Sequence, residues 1–335
     1  MNKRIGSIDF LRGIAILIMV AANSWSYLYP FQNCPFMLRL IFSSAAPIFI
    51  FLSGFSINLS IESGKSLKRI VLRGVQILVI GVLIDTLIWK IVPFSTFDVL
   101  YLIGISTICI ALFNKFINYL FIGFIAISIY LYNYIHIPYN FNLPDPLLTD
   151  SNLKLSLSEI LKRFIWDGWF PVFPWMGFAI FGYWVSKGRS YLINYKSYLV
   201  IIGFALIIFY VLSEKQIQPM RDGYTELFYP VSKEFWIYLL GLLALCLGLH
   251  YYEFKRSYLI ENLGKISLSI YILHAFIIEY VLIFFNQKET TYSWWIFALG
   301  YLCFYGLIFI FSFLLKNKSQ SLKSNYFAIA YLLGV

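Results

Sequence analysis

Ten apolar stretches, separated by short polar segments, run along the chain. They cover residues 8–29, 36–60, 70–92, 97–114, 117–137, 165–187, 197–213, 235–252, 266–286 and 294–315. A membrane-spanning helix needs about 20 mostly apolar residues, and each stretch is close to that length. The pattern therefore predicts an all-α integral membrane protein built as a bundle of about ten transmembrane helices.

Composition supports this prediction. Of the 335 residues, 60% are hydrophobic and only 13% are charged, which is more apolar material than a soluble core of this size can bury. No internal repeat or low-complexity segment divides the chain. Residues 1–335 are therefore expected to form a single membrane domain.

The basic residues predict the orientation in the membrane. Ten passes place both termini on the same side, and the loops on that side carry most of the 26 lysines and arginines. By the positive-inside rule the termini face the cytoplasm, as in a multi-pass protein of the plasma (inner) membrane. The net charge of +10 is scattered between apolar stretches, so no nucleic-acid partner is expected.

The first apolar helix carries three polar side chains, Asp9, Arg12 and Asn23. Ionisable groups in a membrane helix cost free energy unless they are paired or line a wet cavity, so they are candidates for a functional site. Asp9 and Arg12 are three residues apart and can pair on one helical face. In the alternative interpretation, Asp9 caps the helix and Arg12 reaches the cytoplasmic headgroups.

Three further polar residues lie in later apolar stretches. Asp85 lies inside its helix and has no role as a cap, which makes it a candidate acid or base. Asp98 opens its helix, where a role as N-cap is favoured over a role as acid or base. His274 lies near the middle of its helix, as a candidate base or as a hydrogen-bonding residue between helices.

Ordered by depth, the polar residues predict a basic inner mouth and an acidic outer vestibule. Arg12 and the loop residues Lys65, Lys68, Arg69 and Arg73 lie at the inner mouth. Asp9 also lies at this inner mouth, whereas Asn23, Asp85, Asp98, Asp167 and Glu279 fall toward the outer side. A cytosolic anionic donor that meets an acceptor on the far side of the membrane needs such a polar path.

Two other segments depart from a plain spanning helix. The stretch from Leu153 to Phe164 predicts a short amphipathic helix on the membrane surface. Pro171 and Pro174 interrupt the start of the sixth apolar stretch and leave backbone carbonyls that must be satisfied internally. The four cysteines show no metal-ligand spacing, so neither a metal site nor a disulfide framework is expected.

Five stretches in sequence order resemble the heparan-alpha-glucosaminide N-acetyltransferase catalytic-domain family, including its prokaryotic relatives, within the transmembrane acyltransferase superfamily. They are Ser7-Ile-Asp9-Phe-Leu-Arg12-Gly13-Ile-Ala, Ala46-Pro47-Ile-Phe49-Ile-Phe-Leu-Ser53-Gly54, Phe97-Asp98-Val-Leu-Tyr-Leu-Ile-Gly104, Phe170-Pro-Val-Phe-Pro174-Trp175-Met-Gly177 and Leu263-Gly264-Lys-Ile-Ser267-Leu-Ser-Ile-Tyr271-Ile-Leu-His274. The resemblance extends from Arg4 to about His274.

The resemblance implies an acyltransferase that takes an acyl group, usually acetyl, from cytosolic acyl-coenzyme A. The acceptor would be a sugar or another molecule with an amine or hydroxyl, reached at the extracytoplasmic side, as in glycan modification. Arg12, Lys65, Arg69 and Arg73 would meet the coenzyme phosphates, and no metal is implied. A homodimer is an open possibility for the assembly.

One expected residue has no counterpart. The family places an asparagine late in the first helix, which Asn23 matches, and a histidine about eleven residues later, where this chain has Cys34. The base is then His274, Asp85 or Asp98, or Cys34 serves as an acyl relay. In the alternative, Cys34 only occupies a loop. A transporter or exporter of a small polar solute and a non-catalytic relative stay open as alternative functions.

Overall fold

The computed structural model describes residues 5–28, 34–134, 156–213, 233–252 and 256–282, together with 302–303, 305–307 and 310. These residues form helices and the turns between them, with no strand in any of these ranges. The all-α prediction is thus confirmed. Most of the predicted tenth helix, 294–315, lies outside the described residues, as do the segments 135–155 and 214–232.

Within these ranges most of the α-helices follow the predicted apolar stretches. They are α1 (Gly6–Leu28), α2 (Phe36–Phe42), α3 (Ala45–Glu62), α4 (Leu67–Leu83), α5 (Val99–Phe113), α6 (Ile117–Tyr134), α7 (Leu157–Lys162), α8 (Val172–Lys187), α9 (Arg189–Leu192), α10 (Lys196–Ser213), α11 (Lys233–His250), α12 (Tyr258–Lys265) and α13 (Ser267–Ile277). The short helices α7, α9 and α12 lie between the apolar stretches. Short π-helical segments extend α4 (Ile84–Trp89), α7 (Arg163–Asp167) and α13 (Ile278–Leu282).

Two predicted helices are interrupted. The second divides at Ser43 and Ser44, whose hydroxyls each donate 2.6 Å hydrogen bonds to preceding backbone carbonyls and so offer the backbone an alternative to a continuous helix. The sixth divides between Gly168 and Pro171, and α8 begins directly after Pro171. Proline at that position is favourable because its missing N–H is not needed in the first turn of a helix.

Several of these helices are long and apolar enough to cross a membrane. Across the described ranges they are Gly6–Trp25, Phe36–Glu62, Leu67–Trp89, Val99–Ser128 and Arg189–Ser213, and α12 with Ser267–Val281 forms a sixth candidate that is bent by 81°. The chain is therefore a multi-pass membrane protein. The full count of ten helices and the cytoplasmic location of the termini stay predictions.

The helices group into two compact units. The first unit comprises Met1–Ile48 and Lys196–Val335, and the second comprises Phe49–Tyr195. In the first unit, α10 and α11 pack as an antiparallel pair through Gly203 and Gly241. In the second unit, α4 and α5 pack in the same way through Gly74 and Gly104. The single-domain organisation of the whole chain stays a prediction.

The run Val99–Ser128 in the second unit is a helical hairpin. The Phe170 amide donates a 3.0 Å hydrogen bond to the Phe97 carbonyl just before α5, and the ring centroids of Phe124 and Phe173 are 4.6 Å apart. A straight helix would place Phe124 about 40 Å from Phe97. Phe170 and Phe173, however, are at most about 11 Å apart along the chain. The chain therefore reverses after α5, as the two separate apolar stretches indicate.

Helices α3 and α8 lie side by side in the second unit through small residues. A Cβ atom at Gly54 would lie 1.8 Å from the Ala179 carbonyl oxygen, so only glycine permits this approach. Further along the same two helices, Asn58 donates to the Ser186 hydroxyl at 3.1 Å. The small residues and this polar contact together hold the two helices in register.

The helix predicted within Leu153–Phe164 is present as α7, and its location on the membrane surface stays a prediction. Its N-terminus has a capping box, in which the Glu159 amide donates to the Ser156 hydroxyl at 3.3 Å. The Ser156 amide and hydroxyl in turn donate to Glu159 Oε2, each at 2.8 Å. These hydrogen bonds lower the pKa of the Glu159 carboxyl, since they favour its charged form.

A short helix that the sequence pattern does not predict, α12, lies antiparallel against the first half of α1. The two backbones approach so closely that a Cβ atom at Gly264 would lie 1.7 Å from the Asp9 carbonyl oxygen. A Cβ atom at Gly13 would lie 2.0 Å from the Ile260 carbonyl oxygen. Both positions therefore require glycine.

We expect Gly264→Ala to destabilise the protein by about 1–3 kcal/mol, because the added methyl group forces two helical backbones apart. Thermal unfolding of the protein in nanodiscs measures the effect. Gly123→Ala on α6 is the matched control, since a Cβ atom there meets nothing within 4 Å. Equal midpoints for the two variants would contradict the described contact.

Candidate active site

Asn23 on α1 and His274 on α13 meet in the first unit. The Asn23 Nδ2 and the His274 Nε2 are 3.0 Å apart. His274 is fully buried with 1% of its surface exposed, and Asn23 is half-buried. The structure thus brings together two predicted site residues that are 251 positions apart in the chain.

The hydrogen bonds of His274 define its tautomer. Its Nδ1 bonds the backbone carbonyl of Tyr271, which accepts but cannot donate, so Nδ1 carries the proton. Nε2 then presents a lone pair, and the Asn23 amide donates to it. The Nε2 lone pair of this imidazole can accept a proton, which is the chemistry that a general base supplies.

The bend between α12 and α13 decides where His274 lies. α12 ends at Lys265, α13 begins at Ser267, and the two helices are bent by 81°. The glycine contact at Gly264 holds the end of α12 against Asp9. α13 begins directly after this contact, and His274 on α13 therefore lies next to Asn23 on α1.

The start of α1 carries the predicted Asp9–Arg12 ion pair, with 3.3 Å between Arg12 Nη1 and Asp9 Oδ1. α1 begins at Gly6, so Asp9 lies inside the first turn and is not the N-cap. Nearby in sequence, the Ser7 hydroxyl lies 2.6 Å from His250 Nδ1 at the end of α11. The predicted pairing is confirmed, whereas the alternative capping role of Asp9 is not observed.

The other residues predicted to bind the donor phosphates lie at the α3–α4 connection in the second unit. Lys65 and Arg69 are exposed, and Arg73 is half-buried on α4. These three share one short segment, whereas Arg12 belongs to the first unit. A role of all four residues in donor binding stays a prediction.

Asp85 lies in the π-helical segment at the end of α4 and is buried, with 2% of its surface exposed. The Tyr101 hydroxyl donates to Asp85 Oδ2 at 2.6 Å, and the Phe94 amide donates to the Tyr101 oxygen at 3.4 Å. π-Helical turns are frequent at functional sites. Asp85 is therefore part of a buried hydrogen-bonded group in the second unit.

Asp98 is the N-cap of α5. Its Oδ1 accepts a 2.6 Å hydrogen bond from the Val99 amide. This contact satisfies one of the backbone N–H groups that have no partner at the start of a helix. The capping interpretation thus accounts for the Asp98 carboxylate.

Cys34 is buried in an apolar cluster of the first unit, formed with Ala21, Ala22, Trp25 and Phe42. The Trp25 and Phe42 ring centroids in this cluster are 6.0 Å apart. Reactive thiols are partly exposed in positively charged surroundings. The surroundings of Cys34 therefore favour packing over an acyl relay.

Three further residues were not recognised as candidates from the sequence. Tyr271 precedes His274 by one helical turn, and the spacing of three is the signal that could have identified it. Tyr101 lies in the stretch that follows Asp98, where an aromatic residue in an apolar helix gives no distinctive signal. Arg39 is buried on α2, with 2% of its surface exposed, and an arginine inside an apolar stretch was itself a signal.

Comparison with known protein families identifies a match. The family model described as "Heparan-alpha-glucosaminide N-acetyltransferase, catalytic" matches residues 4–213. Asn23, Asp85 and Asp98 lie inside this range, and His274 lies beyond it. No curated protein and no solved structure matches the chain.

The packing of Cys34 predicts that Cys34→Ala leaves any acyl transfer by this protein within about twofold of the wild-type rate. Loss of the sulfur atom from the cluster is expected to cost about 1 kcal/mol of stability. Rates measured in parallel with thermal midpoints separate the two effects. An inactive Cys34→Ala protein with a wild-type midpoint would instead support the relay.

Proposed function

Since the chain belongs to the heparan-alpha-glucosaminide N-acetyltransferase catalytic family, whose members are acetyl-coenzyme A-using membrane transferases, we propose that it transfers an acetyl group to a sugar hydroxyl or amine. The single observation that supports this most strongly is the hydrogen-bonded pair of Asn23 and His274. It provides a neutral, oriented base beside an amide donor.

His274 is the proposed general base. Its Nε2 takes the proton of the acceptor hydroxyl or amine as the oxygen or nitrogen attacks the acetyl carbonyl carbon. The Tyr271 carbonyl, bonded to the opposite ring nitrogen, stabilises the imidazolium that forms. A positioned base of this kind contributes typically about 10²–10⁴-fold to a rate.

Asn23 has a separate role in the same step. In the free protein its amide donates to His274 Nε2, which is the position that the acceptor proton would occupy. When the acceptor donates there instead, the amide becomes available to the carbonyl oxygen of the thioester. An amide donor directed at the developing negative charge lowers the barrier, as in other oxyanion sites.

The second half of the reaction releases coenzyme A. The new bond from the acceptor to the acetyl carbon forms, the carbon–sulfur bond breaks, and the thiolate receives the proton from the His274 imidazolium. Arg12, which lies in the same unit as Asn23 and His274, is the proposed partner of a coenzyme phosphate, because arginine binds phosphate through charge-assisted hydrogen bonds.

Neither Asp85 nor Asp98 is needed as the base in this proposal. The Asp98 carboxylate caps α5, and one Asp85 oxygen accepts a hydrogen bond from the Tyr101 hydroxyl.

The proposal also includes the direction of transfer. With the predicted orientation, the donor binds on the cytoplasmic side of the plasma membrane, and the acetyl group is transferred across the bilayer.

The test measures acetyl transfer from acetyl-coenzyme A to a panel of sugars and amino sugars. The release of the free coenzyme A thiol reports the rate. We expect His274→Gln to lower kcat by about 10²–10⁴-fold, because the base is lost. Asn23→Ala is expected to lower kcat by about 10²–10³-fold, because an oxyanion donor is lost.

His250→Gln is the matched control, since His250 is the other histidine in the described ranges and lies at the end of α11, with its Nδ1 2.6 Å from the Ser7 hydroxyl. It should retain the wild-type kcat within about threefold. If acetyl-coenzyme A neither binds nor reacts, the enzyme proposal fails. If the His274 and His250 variants lose activity equally, His274 is not the base.

A further inference from the structure

One end of the second unit contains the ends of several helices. There α3 ends at Glu62, α4 begins at Leu67, α5 ends at Phe113 and α6 begins at Ile117. The end of α8 lies at the same place, because Arg189, two residues beyond α8, forms an ion pair with Glu62, with 2.6 Å between Arg189 Nη2 and Glu62 Oε2. This is the basic end of the unit, and the predicted orientation places it at the cytoplasmic face.

The two ends of this unit differ in charge. The basic end carries Lys65, Lys68, Arg69, Arg73, Lys115, Lys187 and Arg189, and its acidic side chain among the described residues is Glu62. The opposite end carries Lys90, Lys162 and Arg163 together with Asp85, Asp98, Glu159 and Asp167. Since Glu62 is already paired with Arg189, the basic end keeps a positive charge that the described part of the unit does not neutralise.

Lys115 and Lys187 carry two of these charges on the surface. Lys115 lies in the short 3₁₀ turn between α5 and α6, and Lys187 is the last residue of α8. Both residues are exposed. Within the described ranges neither side chain forms a hydrogen bond or an ion pair. Their ammonium groups can therefore bind an anionic partner.

Helices α6 and α8 run antiparallel, which places both lysines at the end of the same helix pair. The Phe124 and Phe173 ring centroids are 4.6 Å apart, and those of Phe121 and Trp184 are 5.8 Å apart with nearly parallel planes. The contact between the helices thus moves toward the start of α6 as it moves toward the end of α8.

The lysines lie a short way beyond the last of these ring contacts. Ile117, the first residue of α6, precedes Phe121 by four residues, and Lys187 follows Trp184 by three. At 1.5 Å of rise per residue, both lie about 5 Å beyond the ring contact along the helix axes. Lys115 lies in the turn directly before Ile117. Since packed helices are only about 8–10 Å apart, one phosphate group is within reach of both flexible side chains.

Exposed aromatic side chains lie beside these lysines. Phe116, next to Lys115 in the turn, is 60% exposed, and Trp184, about one turn before Lys187, is 43% exposed. Tryptophan is enriched at the level of the lipid headgroups in membrane proteins. Basic groups next to exposed rings fit a lipid, because one lipid molecule carries both a phosphate and acyl chains.

We propose that Lys115 and Lys187 bind the phosphate headgroup of an anionic phospholipid, whose acyl chains pack against Phe116 and Trp184. The charge of the basic end favours an anionic lipid over a zwitterionic one, because lysines near the membrane surface attract anionic headgroups. The exposed rings favour a lipid over a soluble phosphate, which has no acyl chain to contact them. The proposal concerns lipid binding and does not depend on acyl transfer.

Native mass spectrometry of the full-length protein in a neutral detergent measures the affinity of the first bound lipid. The probes are phosphatidylglycerol and phosphatidylcholine with the same acyl chains. We expect the affinity for phosphatidylglycerol to be at least about fivefold higher, since one basic residue near an anionic lipid contributes about this factor. Equal affinities for the two lipids would overturn the proposal.

Lys115→Gln and Lys187→Gln should each weaken phosphatidylglycerol binding by about fivefold and leave phosphatidylcholine binding unchanged, because each removes one positive charge. The thermal midpoints of both variants should stay close to that of the wild-type protein, because the substituted side chains are exposed. Unchanged phosphatidylglycerol binding by both variants would contradict the proposed site.

Lys162→Gln is the matched control. Lys162 is also the exposed last residue of a helix, α7, but it lies at the opposite end of the unit, so this variant should keep wild-type lipid binding. An equal loss in all three variants would mean that binding follows net charge alone and would overturn the proposal. Excess inorganic phosphate or coenzyme A should leave phosphatidylglycerol bound. Displacement by either would mean that the lysines bind a soluble phosphate instead.

Discussion

The contact between α1 and α12 is the constraint on which the candidate active site depends. At Gly13 and Gly264 the two backbones approach so closely that no side chain fits between them. This contact fixes the position of α12 against α1. The chain then bends at Ile266, and α13 extends from the bend so that His274 reaches Asn23. The position of His274 beside Asn23 thus depends on backbone packing at Asp9 and Gly13, which lie 14 and ten residues before Asn23 on α1.

Pairing of buried polar groups is the second organising feature. In a membrane bundle a polar group without a partner costs several kcal/mol, and the structure pairs Asn23 with His274, Asp85 with Tyr101, and Asp9 with Arg12. Each pair joins groups within one compact unit. These polar residues therefore stabilise the packing of each unit in addition to any catalytic role. A variant tests the catalytic role only if it keeps the stability of the wild-type protein.

Cys34 and His274 together give a consistent account of how this chain departs from the family pattern. At the position where the family resemblance implies a histidine, Cys34 packs among apolar side chains. The imidazole that contacts Asn23 instead comes from α13, beyond the part of the chain that the family model matches. In the proposed mechanism the base therefore lies on a different helix from the one that the resemblance implies.

The sequence by itself determined most helix positions and the pairing of close neighbours. Apolar stretches set α1, α4, α5, α6, α10 and α11 to within a few residues, because burial in lipid demands continuous apolar length. The cap at Asp98 depends on residues next to it in the chain, as does the interruption at Pro171, so both had a signal in the sequence. The Asp9–Arg12 pair followed from a spacing of three along one helical face.

Only the tertiary structure decided which distant side chains meet. The sequence named Asn23 and His274 as candidates, but a hydropathy pattern carries no information about contacts between residues 251 positions apart. The helix α12 was not predicted, because eight residues are too few for a clear periodic signal. Its position depends on close packing of two backbones, and such packing is a property of three-dimensional shape that no local pattern of side chains records.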